Sequence, residues 1–339
     1  MNPVPPMTPA TAPAPRRRNK WLARAGLAAV LLAAVGVWQR ERLYVSYCAE
    51  RLERAADDHK TEWGTKLAEC GPAAGPTLVG LLRSDDPAVC QAARDGFETL
   101  WKGCPDGDAT RAELAAAFFA AEPRFSTPGR SAGLDLLPAL VAGKTDALSE
   151  KAAAMIATAA KSDSVDVRVQ AIATCMQPGL DAAELILPLL NDPSPEVRRA
   201  AVLALGPARD RAVLLTDDEL LNWLHDRDPE VRRLCEMSLR SRGRTPRDIH
   251  LGRLYTSPEP SVRQKLLLEL ADEEELDVTV WLERLTNDAD PAVRAGAVRV
   301  AADRRAGLLA RLTQMGKADP DATVRRIAAF YSQRLATQK

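Results

Sequence analysis

The sequence predicts an all-α protein, in which a right-handed solenoid of helix–turn–helix repeats follows one transmembrane helix. The first observation behind this is composition. The 339 residues are 46% apolar but only 4% aromatic, and Ala, Leu and Val dominate, which suits packed helices better than sheets. The second is a short motif that recurs along most of the chain, and the third is an apolar run near the N-terminus that follows a basic cluster.

The charge of the chain is balanced overall but uneven along its length. Lys plus Arg and Asp plus Glu number 46 each. Residues 1–38 hold five bases and no acid, so residues 39–339 hold 41 bases against 46 acids, a net charge of −5. A nucleic-acid binder needs a basic surface that displaces counterions from the phosphates. The acidic balance therefore argues against a nucleic-acid partner.

The N-terminal segment has the features of a membrane anchor. Residues 1–20 are a tail rich in Pro and Arg, which we expect to be disordered. Residues 21–38 contain a single polar side chain, Arg24, and are bracketed by Trp21 and Trp38, as interfacial aromatic residues would be. This run is close to the shortest length that spans a bilayer, and an Arg one turn inside its end can reach the headgroups. We predict a single-pass anchor at 21–38.

Two alternatives to a retained anchor stay open. The short apolar run and the preceding bases also fit a cleaved signal peptide, although no small-x-small site ends the run at residues 35–39. A buried helix of the folded region is disfavoured by the basic cluster and the Pro-rich tail. Five bases lie at or before Arg24 and four follow the run within twenty residues. This difference predicts an extracytoplasmic repeat domain, in a bacterial inner membrane.

The recurring motif is an acid or Ser, often followed by Pro, then Val-Arg, with a small residue four positions after the Val. Its valines are Val167, Val197, Val231, Val262, Val293 and Val324, spaced 30, 34, 31, 31 and 31 residues apart. Weaker copies lie at 86–89 and 126–130. Asp or Ser can cap a starting helix, Pro suits its first position, and residues four apart share a face. Each copy therefore predicts the start of a closely packed helix; only Leu266 is large at the small-residue position.

A second apolar stripe precedes several of the motifs, at 185–190, 220–224, 280–285 and 308–312. The predicted unit is thus a helix, a tight turn and a second helix within about thirty residues. One unit cannot bury its own apolar face, so the units must stack. This interpretation gives a capping helical hairpin at 39–70 and a solenoid of about eight repeats at 71–339.

The motif closely resembles the HEAT-repeat family, in particular the short HEAT-like repeats first associated with phycobilisome lyases, over about residues 73–335. In that family an Asp in the turn and an Arg six residues later form a ladder along the solenoid. The resemblance implies a structural ladder made of Asp192/Arg198, Asp226/Arg232, Asp288/Arg294 and Asp319/Arg325. Three motifs depart from the pattern: Ser162/Arg168, Ser257/Arg263 and Ser84/Cys90.

Common catalytic patterns are missing from the sequence. Its three histidines have no neighbour at metal-ligand spacing, and it has no Gly-rich phosphate loop, nucleophile elbow or His-Glu dipeptide. We therefore expect a protein that is not an enzyme and has no cofactor, metal or small-molecule substrate.

Two of the six cysteines have a spacing that suggests a contact. Cys48 and Cys70 would face each other in an antiparallel hairpin turning near His59, since each is eleven residues from that turn. A disulfide is expected if the compartment is oxidising, and two packed thiols are the alternative.

Solenoids present long curved surfaces, so the expected function is a membrane-tethered scaffold or adaptor that binds a protein partner on its curved face. Two positions after the motif Val, that face carries Arg199, Arg233, Gln264 and Arg326. Such a row suits an acidic partner, while a solvated face without a partner is the alternative. The resemblance also implies an accessory, lyase-like role in chromophore attachment, and cleavage within the N-terminal segment would instead give a secreted binding protein.

Overall fold

The computed structural model describes residues 40–105, 108–142, 146–180, 182–207, 214–272 and 277–337. Within these ranges every regular element is a helix, so the all-α prediction is confirmed. The predicted tail at 1–20 and the predicted anchor at 21–38 lie outside them. No helix in the part of the chain described is both long enough and apolar enough to cross a bilayer.

Contacts divide the chain into two compact units, Met1–Leu140 and Val141–Lys339. The sequence analysis did not anticipate this division within 71–339. The helices of the first unit are α1 (helical over 40–54), α2 (Asp57–Glu69), α3 (Gly75–Leu81), α4 (Pro87–Gly103), α5 (Ala109–Ala121) and α6 (Thr127–Val141), with 3-10 helices η1 (Gly71–Ala74) and η2 (Glu122–Arg124).

The first two helices lie side by side in the region predicted as a hairpin. Tyr47 of α1 packs edge-on against Trp63 of α2, with ring centroids 6.0 Å apart. Helix α2 also packs closely on α4. Gly64 makes this approach possible, because a Cβ atom there would lie 2.3 Å from the carbonyl oxygen of Ala92.

Cys48 and Cys70 are free thiols in the structure, and a disulfide between them stays a prediction. Cys48 is fully buried and Cys70 is partly buried. The Cys70 thiol donates a hydrogen bond to the carbonyl oxygen of Lys66 at 3.3 Å. Burial raises the pKa of this thiol, and the neighbouring Cys48 raises it further. The two helices therefore bring the two cysteine side chains close together, as the hairpin prediction requires.

In the second unit, helices alternate as the first and second helices of successive repeats. The first helices are α7 (Asp146–Ala159), η3 (Ala183–Asn191), α10 (Asp217–Asn222) with η4 (Trp223–His225), α12 (Pro246–Tyr255), α14 (Thr279–Leu285) and α16 (Leu309–Ala318). The second helices are α8 (Val165–Cys175), α9 (Pro195–Leu205), α11 (Pro229–Ser241), α13 (Pro260–Asp272), α15 (Pro291–Asp303) and α17 (Ala322–Thr337).

The motif starts each second helix, although not always with the predicted cap. Asp228 and Asp290 accept hydrogen bonds from the first backbone N–H groups of α11 and α15. Ser164 and Ser194 make no such bond, which corrects the prediction for these two motifs. The residue five before the Val orders the turn instead; Asp192, for example, accepts from the backbone N–H of Ser194 at 2.9 Å.

The apolar stripe at 185–190 forms a 3-10 helix, η3, and not an α-helix. Pro188 lies inside it and has no N–H to donate to the preceding turn, which disfavours an α-helical ladder at this point. Ile186 and Leu190 are nevertheless buried. The apolar side chains of this stripe are thus buried as predicted, although the backbone is a 3-10 helix.

Second helices of successive repeats stack on one another, and their small residues lie at the contacts. Helices α8 and α9, α9 and α11, α13 and α15, and α15 and α17 pack directly. The residues four positions after the Val are at most 1% exposed: Ala171, Ala201, Cys235, Leu266, Ala297 and Ala328. The contact between α11 and α13 is much weaker than the others. Leu266 of α13 is the large member of this set, and its size fits the wider spacing at that step.

Candidate protein-binding face

The four residues predicted to bind a partner lie at one position of the second helices. The shared position is two residues after the motif Val, and it carries Arg199 in α9, Arg233 in α11, Gln264 in α13 and Arg326 in α17. Arg233, Gln264 and Arg326 are exposed, and Arg199 is half-buried. The corresponding residue of α15 is Ala295.

A row of apolar side chains on the same face was missed by the sequence analysis. These residues follow the Val by six positions, and Leu203, Met237, Leu268 and Phe330 are 61%, 49%, 69% and 61% exposed. Positions two and six differ by four and so share a helix face. The sequence contains one signal that points to this row, because a large apolar residue recurs six positions after the motif Val. Clustered exposed apolar side chains mark an interaction surface.

A groove of about 700 Å³ lies on this face between α13, α15 and α17. Leu267, Leu268 and Val300 line its apolar part, and Arg299 and Asp303 add charge. The groove thus combines an apolar floor with polar edges, as sites that bind another molecule generally do.

Two of the three predicted arginines already have acidic partners. The Arg199 guanidinium donates from Nε and Nη2 to the Asp228 carboxylate of the following repeat, the Nε bond being 2.9 Å. Arg233 Nε donates to Glu230 at 2.7 Å. The hydrogen bond from Arg199 lowers the pKa of Asp228, and that from Arg233 lowers the pKa of Glu230. These two arginines are therefore less available to an acidic partner than predicted.

Unpaired positive charge lies in the C-terminal repeats. Arg326 donates a hydrogen bond to the hydroxyl of Thr323 at 3.5 Å and forms no ion pair with a residue that the structure describes. Lys265 and Arg299 are exposed, and neither forms an ion pair with another described residue. An acidic segment would find its best charge complement around α13, α15 and α17, beside the groove.

An Arg–Asp ladder joins the repeats through the turns before the second helices. Each rung pairs a guanidinium with the Asp of the following repeat, at 2.6–2.9 Å: Arg168–Asp192, Arg198–Asp226, Arg263–Asp288 and Arg294–Asp319. Within one motif, the Arg binds the backbone carbonyl of the residue six before it, as Arg325 binds Asp319 at 2.6 Å. The ion pairs thus run between repeats and not within the Asp/Arg pairs named from the sequence.

Two of the ladder carboxylates, those of Asp226 and Asp319, have a lowered pKa. Burial alone would raise the pKa of Asp226, but hydrogen bonds from Arg198 and from the backbone N–H of Asp228 outweigh it and lower that pKa. Hydrogen bonds from Arg294 lower the pKa of Asp319. Paired, hydrogen-bonded charges of this kind tie one repeat to the next.

Cys90 and Ser126 replace a rung in the first unit with neutral groups. The Cys90 thiol donates to the carbonyl oxygen of Ser84 at 3.2 Å, where a ladder Arg would bind. Its sulfur also lies 4.0 Å from the Ser126 hydroxyl. The sequence departure at Ser84/Cys90 is therefore compensated locally.

A smaller cavity of about 190 Å³ lies between α10, α12 and α14. Both of its lining arginines are paired with lining acids: Arg244 with Asp217, and Arg284 with Asp218. Across the described ranges, no three His, Cys, Asp or Glu side chains are grouped so as to hold a metal ion.

Paired helices, stacked second helices and a ladder of charges define an α-helical repeat protein. A family model for HEAT repeats matches residues 152–240, so this part of the chain contains HEAT repeats. The match is to HEAT repeats in general and not to the phycobilisome-lyase type. No curated protein sequence matches the chain.

Two solved structures resemble the chain distantly. The crystal structure of an engineered protein has 17% identity and a TM-score of 0.28, and the similarity covers 86% of this chain and 98% of that one. The X-ray structure of YibA from Escherichia coli has 18% identity and a TM-score of 0.39, covering 83% and 98%. Both TM-scores are too low for either likeness to bear on function.

Proposed function

We propose that this chain is a membrane-tethered, non-catalytic scaffold that binds a protein partner on the exposed face of its second helices. The observation that carries this proposal is the coincidence of an exposed apolar row, unpaired bases and a groove on one face. HEAT repeats generally use such surfaces to bind proteins. The partner segment that fits best has both apolar side chains and carboxylates.

The apolar row and the unpaired bases contribute to binding in different ways. Covering an exposed side chain such as Leu268 or Phe330 with apolar groups contributes roughly 1–2 kcal/mol. The charges of Lys265, Arg299 and Arg326 mainly orient an acidic segment and speed its association. Affinity therefore comes chiefly from the apolar row, and selectivity for acidic segments from the bases.

Reversing the unpaired bases is expected to reduce recovery of the partner. In the variant Lys265→Glu/Arg299→Glu/Arg326→Glu, the carboxylates would repel an acidic segment, and we expect recovery from solubilised membranes to fall by about tenfold or more. Recovery is measured by crosslinking, affinity purification of the tagged chain and quantitative mass spectrometry.

The matched control reverses three exposed arginines of the first unit, Arg54→Glu/Arg83→Glu/Arg124→Glu. It makes the same change in net charge and should retain partner recovery. A second variant, Leu268→Ser/Phe330→Ser, tests the apolar row and should also lose the partner. Wild-type recovery by both face variants would refute the proposed surface.

The proposed location is a bacterial inner membrane, with residues 21–38 as the anchor and the repeats on the extracytoplasmic side. With an epitope tag after Lys339, protease added to intact spheroplasts should then digest the tag. The reason is the small excess of bases before the anchor, which favours retention of the tail in the cytoplasm.

Controls for this experiment are a cytoplasmic marker protein, which must stay intact, and lysed cells, in which the tag must be cut. A tag protected in spheroplasts and digested only after lysis would reverse the proposed orientation. An intact mass that lacks residues 1–38 would replace the anchor by a cleaved signal peptide.

A further inference from the structure

The Arg–Asp ladder is interrupted at one step of the second unit. Arg232 occupies the ladder position of α11, but the following repeat has Ser257 where the other rungs have an Asp. Four ladder arginines of this unit have a carboxylate partner, whereas Arg232 forms no ion pair with any described residue. Arg325, in the last of the repeats that the structure describes, also binds only backbone carbonyl oxygens. Among the ladder arginines that have a described repeat after them, Arg232 is therefore the one without a carboxylate partner.

The guanidinium of Arg232 is nevertheless held as in a complete rung. Its Nη1 donates to the carbonyl oxygens of Asp226 and Arg227 at 2.7 and 3.1 Å. Arg198 makes the two equivalent bonds at 2.8 and 3.1 Å. In the Arg198 rung, a guanidinium held by these two bonds directs Nε and Nη2 to the Asp of the following repeat. By this equivalence we infer that the Nε and Nη2 edge of Arg232 is directed to the turn that contains Ser257. Arg232 is half-buried, and neither nitrogen is among the fully buried side-chain atoms without a partner.

The turn on the other side of the gap also keeps the geometry of a rung. The Ser257 carbonyl accepts from Arg263 Nη1 at 2.8 Å, as the motif requires. The Ser257 hydroxyl accepts from the backbone N–H of Glu259 at 3.3 Å, where Asp226 accepts the equivalent bond at 2.8 Å. Ser257 is 7% exposed, but its side chain ends at the hydroxyl and lacks a carboxylate that could pair with the Arg232 edge.

The second helices on either side of the missing carboxylate, α11 and α13, also pack weakly against each other. The contact between α11 and α13 is the weak step in the stack of second helices, and Leu266 fills the position where the neighbouring repeats have smaller residues. The ladder thus combines a missing carboxylate with a wider spacing at the same step.

We propose that the Arg232 edge and the Ser257 hydroxyl form a binding site for a carboxylate group supplied from outside the fold. A planar carboxylate matches the two parallel N–H donors of Nε and Nη2, and the hydroxyl can donate a further hydrogen bond to it. The adjacent rungs, Arg198–Asp226 and Arg263–Asp288, are neutral pairs, so they do not neutralise the charge of Arg232. The carboxylate is either that of a small molecule or an acidic side chain of a protein; the site does not depend on the exposed face proposed above.

Acetate titration of the full-length chain in detergent tests the site. Acetate replaces chloride at constant ionic strength near neutral pH, and thermal unfolding is followed by circular dichroism. Ligand that binds only the folded state raises the unfolding temperature, here by about 2–4 °C when the acetate concentration is roughly tenfold above its Kd. Ser257→Asp should raise this temperature without acetate and abolish the response, because it supplies the carboxylate internally.

Ser261→Asp is the matched control, since it adds the same charge at an exposed position four residues away. It should respond to acetate as the wild type does, whereas Arg232→Met should not respond. Absence of a wild-type response, or a full response in Ser257→Asp, would overturn the proposal even if Arg232→Met does not fold. If the natural carboxylate belongs to a protein partner, Ser257→Asp should also reduce partner recovery; unchanged recovery together with a lost acetate response assigns a small molecule.

Discussion

Replacing Ala201 with Asp is expected to unfold the repeats around α9. Ala201 is fully buried at the small-residue position of α9, which packs against α8 and α11. An Asp there places an ionised carboxylate between helices without a partner, and its extra volume pushes them apart. We expect the free energy of unfolding to fall by about 4 kcal/mol or more, and the unfolding temperature of the array by roughly 10 °C. Circular dichroism melting measures the change.

Leu203→Asp is the control, because Leu203 lies on the same helix but is 61% exposed. The same new charge should alter the unfolding temperature little there. Hydrogen exchange gives the location: protection should fall first in α8, α9 and α11, since each repeat depends on its neighbours. An Ala201→Asp variant that melts with the wild type would mean that this face of α9 does not lie in the core.

The motif predicted the helices and their buried faces well because local chemistry determines both. Five of its six valines are fully buried, and Val262 is half-buried. Where the structure differs from the prediction, the cause is also local. Pro188 makes η3 a 3-10 helix, and Ser194 donates its hydroxyl to Glu196 at 2.5 Å and makes no cap. In each case local hydrogen bonds of similar strength compete, and the sequence motif alone does not say which of them forms.

The exposed apolar row and the pairing within the ladder depend on how the repeats stack, so the sequence motif alone could not establish them. Leu203 and Leu205 belong to one helix, but they are 61% and 6% exposed. To tell an exposed apolar residue from a core residue, one must know which face of the helix is turned toward its neighbours. The ladder was identified by its residues, but the carboxylate that each Arg binds lies in the next repeat. That Arg232 lacks a carboxylate partner can be recognised only when the pairing between successive repeats is known.

Breaking a complete rung is the second large effect. Arg294→Met should lower the free energy of unfolding by about 3–5 kcal/mol, because it leaves the Asp319 carboxylate buried without its cation. The side chains of Arg294 and Asp319 are only 10% and 5% exposed, so water compensates little. Denaturant unfolding of the purified chain, compared with the wild type at neutral pH, measures the loss.

The pH dependence separates loss of the ion pair from loss of packing. Hydrogen bonds from Arg294 lower the pKa of Asp319, so in the wild type the pair stabilises the fold above the unfolded pKa of about 4. That stabilisation is lost as the pH falls through the lower folded pKa. The difference between the wild type and Arg294→Met should therefore shrink below about pH 4, when the carboxylate becomes protonated. The double variant Arg294→Met/Asp319→Leu, which leaves no buried charge, should recover much of the stability at neutral pH. A deficit that persists unchanged at acid pH and in the double variant would assign the effect to lost packing of the Arg294 side chain.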